Sequence, residues 1–286
     1  MIPAQFAYSR PASVDEAVRA LAADPGAKLL AGGQSLLPLM KLRVASVERL
    51  VDIGRLDELR GVRPLPDGRL EVGALTTYRE LLESPALMRY GLLRDAVPNI
   101  GDVQVRNRGT VGGAIAHADP ASDLPAILLA LEAEVVARSA SGERTIPITS
   151  FFQGSFTSAL RQDELITSVI LPGGRDDAGS AYRSLEQPAS GYSIVGVAAI
   201  VFVGVGGIRE SRVAITGVGE IAYRAGAVEA ALAGSDGSRS AVEAAAAHAT
   251  DGIAVNADIH ADAAYRAAMA VVYTRRALEA ALSRVR

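Results

Sequence analysis

The sequence predicts an α/β domain over residues 1–175, followed by a smaller domain over residues 179–286 that begins as a β-meander and ends in helices. Strand-like and helical patterns alternate as far as residue 171, which is typical of an α/β domain. Residues 172–179 (PGGRDDAG) have the composition of a linker. A chain of 286 residues is also longer than most single domains, so two domains are expected.

Capping boxes mark two helix starts in the first domain, one from Ser13 to Glu16 and one from Thr77 to Glu80. Residues 85–97 are predicted to form one helix that Pro98 ends, and residues 123–132 form another. Short apolar runs bounded by turn residues predict the strands. These strands are residues 28–31, 50–53, 70–74, 134–138, 145–148 and 165–171, with a hairpin turn at residues 139–142.

The second domain is predicted to open with a meander of strands at residues 181–185, 195–205 and 211–217. Alanine-rich, helical sequence follows from residue 227 onward. The last helix is predicted over residues 261–284, because apolar residues recur there at helical spacing. The predicted buried stripe consists of Ala264, Ala268, Val271, Val272, Leu278 and Leu282.

Composition excludes several classes of function. The 29 basic and 32 acidic residues nearly balance, and the pair Arg106 and Arg108 is too short for a nucleic-acid surface. With no cysteine in the sequence, the chain offers no disulfide, no catalytic thiolate and no thiolate ligand for an iron–sulfur cluster. We expect no signal peptide, because the N-terminus lacks a charged region followed by an apolar core. We expect no membrane span, since the longest apolar run, residues 194–208, is short and β-like. A cytoplasmic protein is expected.

Two segments contain paired glycines: residues 28–36 (KLLAGGQSL) and residues 109–123 (GTVGGAIAHADPASD). Each pair is predicted to follow strand-like residues and to precede helical ones, so that backbone N–H groups face an anion. The two segments could therefore hold one diphosphate of a nucleotide cofactor, although two ordinary tight turns are the alternative. A further G-x-G-x-x-A pattern at residues 217–222 is interpreted as a turn, because Glu220 would repel a diphosphate.

Few side chains suggest catalysis. His117, His248 and His260 do not share the spacing of metal ligands, so no metal site is predicted, and no catalytic residue is assigned. His117 either contacts a ligand or hydrogen-bonds the loop backbone. Asp123 is either a helix N-cap or an acceptor for ribose or ribityl hydroxyls.

Four motifs together resemble one family: residues 31–35 (AGGQS), 37–43 (LPLMKLR), 100–113 (IGDVQVRNRGTVGG) and 117–123 (HADPASD). Weaker similarity continues through residues 151–154, 179–183 and 273–278. On these motifs the chain is identified as a member of the FAD-binding medium subunits of molybdenum hydroxylases, the carbon monoxide dehydrogenase and xanthine dehydrogenase group. Gln34, Ala114 and Gly191 depart from the usual family residues.

The resemblance implies an α+β chain with a p-cresol methylhydroxylase-type FAD-binding fold. That fold consists of two α/β subdomains, about residues 1–57 and 58–175, plus the smaller C-terminal domain. It also implies non-covalent FAD, with molybdopterin and [2Fe–2S] clusters only on partner subunits. The expected complex is a dimer of heterotrimers with a large molybdopterin-binding subunit and a small [2Fe–2S] subunit. In such complexes the flavin takes electrons from the clusters and passes them to an external acceptor.

The resemblance further implies which residues bind the cofactor. Backbone N–H groups of residues 31–35 and 110–114 would hold the diphosphate, Asp123 the hydroxyls, and Arg183 and Tyr192 would lie beside the flavin ring, although Tyr192 could equally be a core aromatic residue. The complete expected set is Leu29, Leu30, Ala31, Gly32, Gly33, Gln34, Ser35, Leu36, Thr76, Ile100, Thr110, Val111, Gly112, Gly113, Ala114, His117, Asp119, Ser122, Asp123, Leu165, Ile166, Arg183 and Tyr192.

Two other functions remain open from the sequence. A stand-alone flavin-dependent oxidoreductase of the same fold would need its own substrate pocket and proton donor. A non-catalytic binding or scaffold subunit would have lost the cofactor, which the two intact glycine segments argue against.

Overall fold

The computed structural model describes residues 2–174 and 177–285. Arg175 and Asp176 of the predicted linker lie outside the described residues, and so do Met1 and Arg286. The first part of the chain is a small parallel sheet with strand order β1-β3-β2 and helices between its strands. Its elements are β1 (Ala7–Ser9), α1 (Val14–Ala23), β2 (Ala27–Leu30), α2 (Leu36–Lys41) and β3 (Arg49–Asp52).

The middle part forms a five-stranded sheet, in which every neighbouring pair of strands is antiparallel, together with five helices. Its order is β4-β5-β10-β6-β7, and a small β8–β9 pair stands apart. The elements are β4 (Val62–Pro64), β5 (Leu70–Gly73), α3 (Tyr78–Glu83), α4 (Gly91–Ala96), α5 (Val103–Arg106), α6 (Val111–His117), α7 (Asp123–Leu131), β6 (Glu134–Ser139), β7 (Gly142–Pro147), β8 (Phe152–Gly154), β9 (Thr157–Ser158) and β10 (Leu165–Leu171).

The last part is an antiparallel sheet in the order β11-β12-β13-β14, with three helices after it. The predicted meander is therefore confirmed. Its elements are β11 (Ala178–Glu186), β12 (Ser193–Gly204), β13 (Gly207–Thr216), β14 (Tyr223–Arg224), α8 (Gly226–Leu232), α9 (Arg239–Ala246) and α10 (Ala263–Leu282).

The two predicted capping boxes differ in completeness. At Thr77 both halves are present: its side chain accepts from the Glu80 N–H, and the Glu80 carboxylate accepts from the Thr77 N–H. At Ser13 only the first half forms, because the Glu16 carboxylate accepts from Ala12 instead. Both helices nevertheless start where the sequence predicted.

Two predictions of local structure in the first domain need correction. Residues 85–97 do not form one helix, because the chain breaks between a 3₁₀ turn at Pro85–Leu87 and α4. Tyr90 lies at the break: it is buried, and its hydroxyl donates to the carbonyl of Pro172 at 2.6 Å. The segment before the second glycine pair is also not strand-like, because residues 103–106 form helix α5.

The predicted stripe on the last helix is only partly right: Leu278 is fully buried, and Val271 and Leu282 are partly buried against the same C-terminal core. Ala264 and Ala268 are exposed, and the buried residues are Arg266, Ala270, Thr274, Ala277, Leu278 and Ala281. The helix lies flat against β11 and β12, and small residues permit that close approach. At the contact, a Cβ on Gly179 would overlap the carbonyl oxygen of Ala281.

The meander is buried on both faces, which explains its long apolar runs. Along β12, Val197, Ala199 and Val201 belong to a core shared with the C-terminal helices. The alternate residues Ala198, Ile200 and Phe202 belong to the large core of the middle part. Helix α7 contacts β12 and β13 and is buried along its whole length. The observed mixture of helices and sheets confirms the α+β class.

None of the helices in the described ranges has the length and apolar content needed to cross a membrane.

Candidate functional site

The first glycine segment follows the carboxyl end of β2 and leads into α2. Ligands in sheets of this kind bind outside the carboxyl ends of the parallel strands. Gly33 has a φ of +75°, a backbone conformation that favours glycine. Within residues 2–174 and 177–285, the backbone N–H groups of residues 32–35 donate to no other group of the chain. They are therefore available to an anion.

The second glycine segment forms the start of α6, and four of the five N–H groups expected to hold the diphosphate, those of residues 111–114, donate within the chain. The N–H of Val111 donates to Thr76 at 3.0 Å and that of Gly112 to Ala74 at 2.8 Å, both to backbone carbonyls. Thr110 caps the helix: its hydroxyl accepts from Gly113 at 3.2 Å, and its carbonyl accepts from Ala114 at 3.0 Å. The chain itself uses these donors, so the N–H groups that remain available to an anion lie mainly in the first segment.

The glycines of the second segment instead permit close packing. A Cβ on Gly112 would lie 2.6 Å from the Cβ of Ala74, so no side chain fits there. This contact holds α6 against the end of β5 and brings its exposed face, including Gly113, opposite the first segment. The two segments, which are far apart in sequence, thereby line one space.

That space is a single cavity of about 720 Å³, within the usual size range of small-molecule sites. All the predicted site residues line it except three. Those that do are Leu29, Leu30, Ala31, Gly32, Gly33, Gln34, Ser35, Leu36, Ile100, Thr110, Gly112, Gly113, Ala114, His117, Asp119, Ser122, Asp123, Leu165, Ile166 and Tyr192.

Thr76, Val111 and Arg183 are the three that the structure does not bring to the cavity. Thr76 is fully buried, and its hydroxyl pairs with the backbone of Gly61. Val111 is buried in the main core. Neighbouring residues of a strand point to opposite faces. Because Tyr182 points toward Asp123, Arg183 points away and pairs with Asp95 at 3.1 Å.

Asp123 is the first residue of α7, and Ser122 occupies the N-cap position, so the N-cap alternative for Asp123 is wrong. Its carboxylate is buried, and one oxygen accepts from both Ser193, at 2.6 Å, and Tyr182. Burial raises the pKa of Asp123 to about 6, while the two hydroxyls act in the opposite direction. This residue is therefore a desolvated acceptor at the wall of the cavity.

His117 ends α6 and lines the cavity. Its ring packs against Phe156 with centroids 5.1 Å apart, and its Nε2 lies 4.0 Å from a carboxylate oxygen of Asp119. Among the described residues its ring makes no hydrogen bond to the loop backbone, so that alternative is not supported. Ala118 and Phe156 both have left-handed backbones, with φ of 51° and 57°, and the Phe156 N–H donates to the Ala118 carbonyl at 2.9 Å.

Tyr192 lies on the loop between β11 and β12 and is 42% exposed, so it is not a core aromatic residue. It lines the cavity beside Ser190 and Gly191. The G-x-G-x-x-A pattern lies at the end of β13 and not in the cavity: Gly217 has a φ of +81° and donates to the carbonyl of Pro120 at 2.8 Å.

Sequence reasoning missed several lining residues, many of which come from loops without a recognisable motif. Phe156 carried no signal that distinguishes it from any other loop aromatic residue. Arg161 and Gln162 look like an ordinary polar turn before β10. The missed residues with polar or aromatic side chains are Lys28, Tyr78, Phe156, Thr157, Ser158, Arg161, Gln162, Glu164 and Ser190.

Two family models together match nearly the whole chain. Residues 4–174 match the FAD binding domain in molybdopterin dehydrogenase, and residues 180–281 match the CO dehydrogenase flavoprotein C-terminal domain. The carbon monoxide dehydrogenase medium chain of Hydrogenophaga pseudoflava is 40% identical over 286 residues, which cover 99% of each chain. The glyceraldehyde dehydrogenase medium chain of Sulfolobus acidocaldarius is 39% identical over 230 residues, covering 80% of this chain and 81% of the relative.

Two solved structures match this chain over its full length. A carbon monoxide dehydrogenase from Hydrogenophaga pseudoflava, which lacks the Mo-pyranopterin moiety of its cofactor, matches with a TM-score of 0.96 and 42% identity over 100% of both chains. Quinoline 2-oxidoreductase from Pseudomonas putida 86 matches with a TM-score of 0.93 and 31% identity, again over 100% of both chains.

Proposed function

The chain belongs to the family of FAD-binding medium subunits of molybdenum hydroxylases, and we propose that it is the electron-transfer subunit of a heterotrimeric complex. The observation that carries this proposal is the single cavity lined by both glycine segments and by Asp123. As a flavoprotein component, the chain contributes to an oxidoreductase.

The residues at the cavity fit FAD. The free N–H groups of residues 32–35 suit the diphosphate, and Thr110 adds a hydroxyl on the opposite side. Asp123 suits a ribityl or ribose hydroxyl. Ile100, Leu165, Ile166 and the ring of Tyr192 supply apolar walls for the flavin. We propose that the cofactor is held without a covalent bond. When bound, FAD supplies the electron-accepting chemistry, and the chain supplies binding and orientation.

Partner subunits complete the proposed complex. The relatives are named as medium chains or subunits, which supports assembly with other chains. This sequence contains no cysteine, so we place the [2Fe–2S] clusters on a small subunit and molybdopterin on a large one. Electrons would reach this chain from the clusters and leave to an external acceptor. A dimer of heterotrimers and a cytoplasmic location stay predictions of the sequence.

Two experiments test the proposal. The full-length chain is purified, incubated with FAD, freed of unbound cofactor and examined by visible absorbance. Retained flavin absorbance is expected, and its absence would contradict the FAD site.

The second experiment co-expresses the chain with a molybdopterin subunit and an iron–sulfur subunit. The complex should co-purify, and its flavin should be reduced by the substrate of the large subunit. Turnover of substrate by the isolated chain would instead favour a stand-alone flavin oxidoreductase.

A further inference from the structure

The Asp123 carboxylate is held by two hydroxyls that come from the C-terminal part of the chain. Ser193 donates to its Oδ1 at 2.6 Å, and the Tyr182 hydroxyl donates to the same oxygen. Both residues are almost completely buried, at 2% and 4% exposure. Tyr182 lies on β11 and Ser193 begins β12, whereas Asp123 belongs to α7 of the FAD-binding domain.

A glycine on β12 leaves room for the Tyr182 hydroxyl beside Asp123. A Cβ on Gly196 would overlap the Tyr182 hydroxyl, so glycine at this position of β12 leaves room for the phenol. The neighbouring turn is held by the same sheet. The Thr216 hydroxyl lies 2.8 Å from the carbonyls of Pro120 and Ser122, and the Ser193 N–H donates to the Ala121 carbonyl at 3.2 Å. The meander thus fixes both the backbone and the carboxylate at the cavity wall.

We propose that Tyr182 and Ser193 are positioning residues that keep Asp123 an ionised hydrogen-bond acceptor, so that the C-terminal part of the chain sets the affinity for FAD. The inference rests on the proposed FAD site and adds to it two residues that do not line the cavity. Neither hydroxyl needs to touch the cofactor, because each acts through the carboxylate.

The physical basis is competition between burial and hydrogen bonding. Burial favours the neutral carboxyl and raises the pKa of Asp123 to about 6, and the charge of Glu186 on β11 acts in the same direction. The hydroxyls of Ser193 and Tyr182 favour the carboxylate and lower that pKa. The other titratable groups that face Asp123 are the phenols of Tyr78 on α3 and Tyr192 on the loop.

A neutral Asp123 would carry a proton where the cofactor hydroxyl must donate. FAD should therefore bind the ionised form better, and affinity should fall as the pH drops through the pKa of this group. Removing one donor raises that pKa, because the ionised form loses a charge-assisted hydrogen bond. The pH midpoint of FAD binding should then move upward.

The test measures the dissociation constant of FAD for the full-length, cofactor-free chain by flavin fluorescence between about pH 5 and pH 8, the range that brackets the Asp123 pKa. In Tyr182→Phe we expect the midpoint to rise by about one pH unit, with the affinity recovering at the high end of the range. Ser193→Ala should shift the midpoint in the same direction. In Asp123→Asn the pH dependence that belongs to this group should disappear.

Tyr223→Phe is the matched control, since this tyrosine is also largely buried and donates to the Ala249 carbonyl at 2.9 Å, away from the cavity. It should keep the wild-type midpoint. An unchanged midpoint in Tyr182→Phe, or an equal loss of affinity at every pH, would overturn the inference while leaving FAD binding by the wild type intact. If Tyr182→Phe does not fold, the midpoint of Ser193→Ala decides.

Discussion

A Cβ atom on Gly32 would overlap the backbone carbonyl oxygen of Arg108. The first glycine segment therefore packs directly against Arg108, the residue immediately before the second glycine segment. The contact is between backbones, and backbone atoms cannot rotate away as a flexible side chain can. The distance between the two segments is therefore set by the absence of a side chain at Gly32. This contact explains how two turns, separated by about 75 residues of chain, come to line one cavity.

Gly32→Ala should force the two segments apart. We expect FAD affinity to fall at least about tenfold and the free energy of unfolding to fall by about 1–3 kcal/mol, the usual cost of inserting atoms into a packed site. Isothermal titration with FAD and urea denaturation measure the two effects. Gly226→Ala is the control, because no atom lies within 4 Å of the Cβ that it adds. Wild-type affinity in Gly32→Ala would contradict the structure of the contact.

Asp123→Asn should separate stability from binding. The folded-state pKa of Asp123 is raised to about 6 from an ordinary 3.8, so the protonated form is favoured by folding. Stability from this group is present below the ordinary pKa and is lost as the pH rises through about 6. The cofactor-free Asn variant should thus be more stable than the wild type by about 1–3 kcal/mol at pH 8, and this advantage should disappear toward pH 4.

Urea denaturation of both cofactor-free proteins at several pH values measures that difference, and FAD titration should show weaker binding by the variant. Asp57→Asn is a suitable control, since the side chain of Asp57 is 93% exposed. A constant stability difference across the pH range would argue against a raised pKa of Asp123.

Arg144→Met should lower the free energy of unfolding, because it leaves the buried carboxylate of Glu164 without its ion-pair partner. Arg144 donates twice to Glu164, at 2.6 Å and 2.8 Å, and the Glu164 side chain is only 2% exposed. Because Arg144 itself is 36% exposed, we expect a loss of about 2–3 kcal/mol in the free energy of unfolding at pH 7, below the usual cost of breaking a fully buried pair. Chemical denaturation measures this loss.

The double variant Arg144→Met with Glu164→Gln should recover most of that stability, because the buried charge is then removed. Arg239→Met breaks an exposed pair with Glu243 and should cost about 0.5 kcal/mol or less. The guanidinium holds the pKa of Glu164 below its usual range, so the contribution of the pair is present at neutral pH and is lost at acid pH. Equal losses in the two arginine variants would refute the buried pair.

Replacing Phe156 with glycine should relieve backbone strain but remove an aromatic ring from the cavity wall. Its φ of 57° is unfavourable for any residue with a Cβ, and its ring packs against His117. Phe156→Gly should be more stable than Phe156→Ala by about 1 kcal/mol, because glycine adopts this backbone without a steric penalty. Both variants should bind FAD more weakly than the wild type. Thermal unfolding and FAD titration test the two halves, and equal stability of the variants would contradict the strain.

The sequence predicted the regular elements wherever local signals were complete. Thr77 and Glu80 form both hydrogen bonds of a capping box, and that helix begins where expected. Short strands without such signals were missed: Ala7–Ser9 is largely exposed, and Val62–Pro64 ends in a proline. The stripe on the last helix was only partly right, because spacing alone cannot show that small residues such as Ala277 and Ala281 are among the fully buried ones.

The motif resemblance predicted site residues most of which line the cavity, because most of them lie in the two glycine segments. It erred at Arg183, where the alternation of a strand points the side chain away from the cavity. It also assigned backbone donors in the second segment that the chain uses internally. Neither error could be detected in the amino-acid sequence, since both depend on which hydrogen-bond or ion-pair partner a group contacts in the folded chain.

By itself the sequence determined the family, the cofactor class and the two glycine segments, because each depends on short runs of contiguous residues whose steric requirements are local. Only the tertiary structure decided which N–H groups stay free, that Tyr182 and Ser193 reach Asp123 across 59 and 70 residues, and that Phe156 joins the cavity rim. Hydrogen-bond satisfaction and desolvation are properties of the packed chain, and no segment carries them alone.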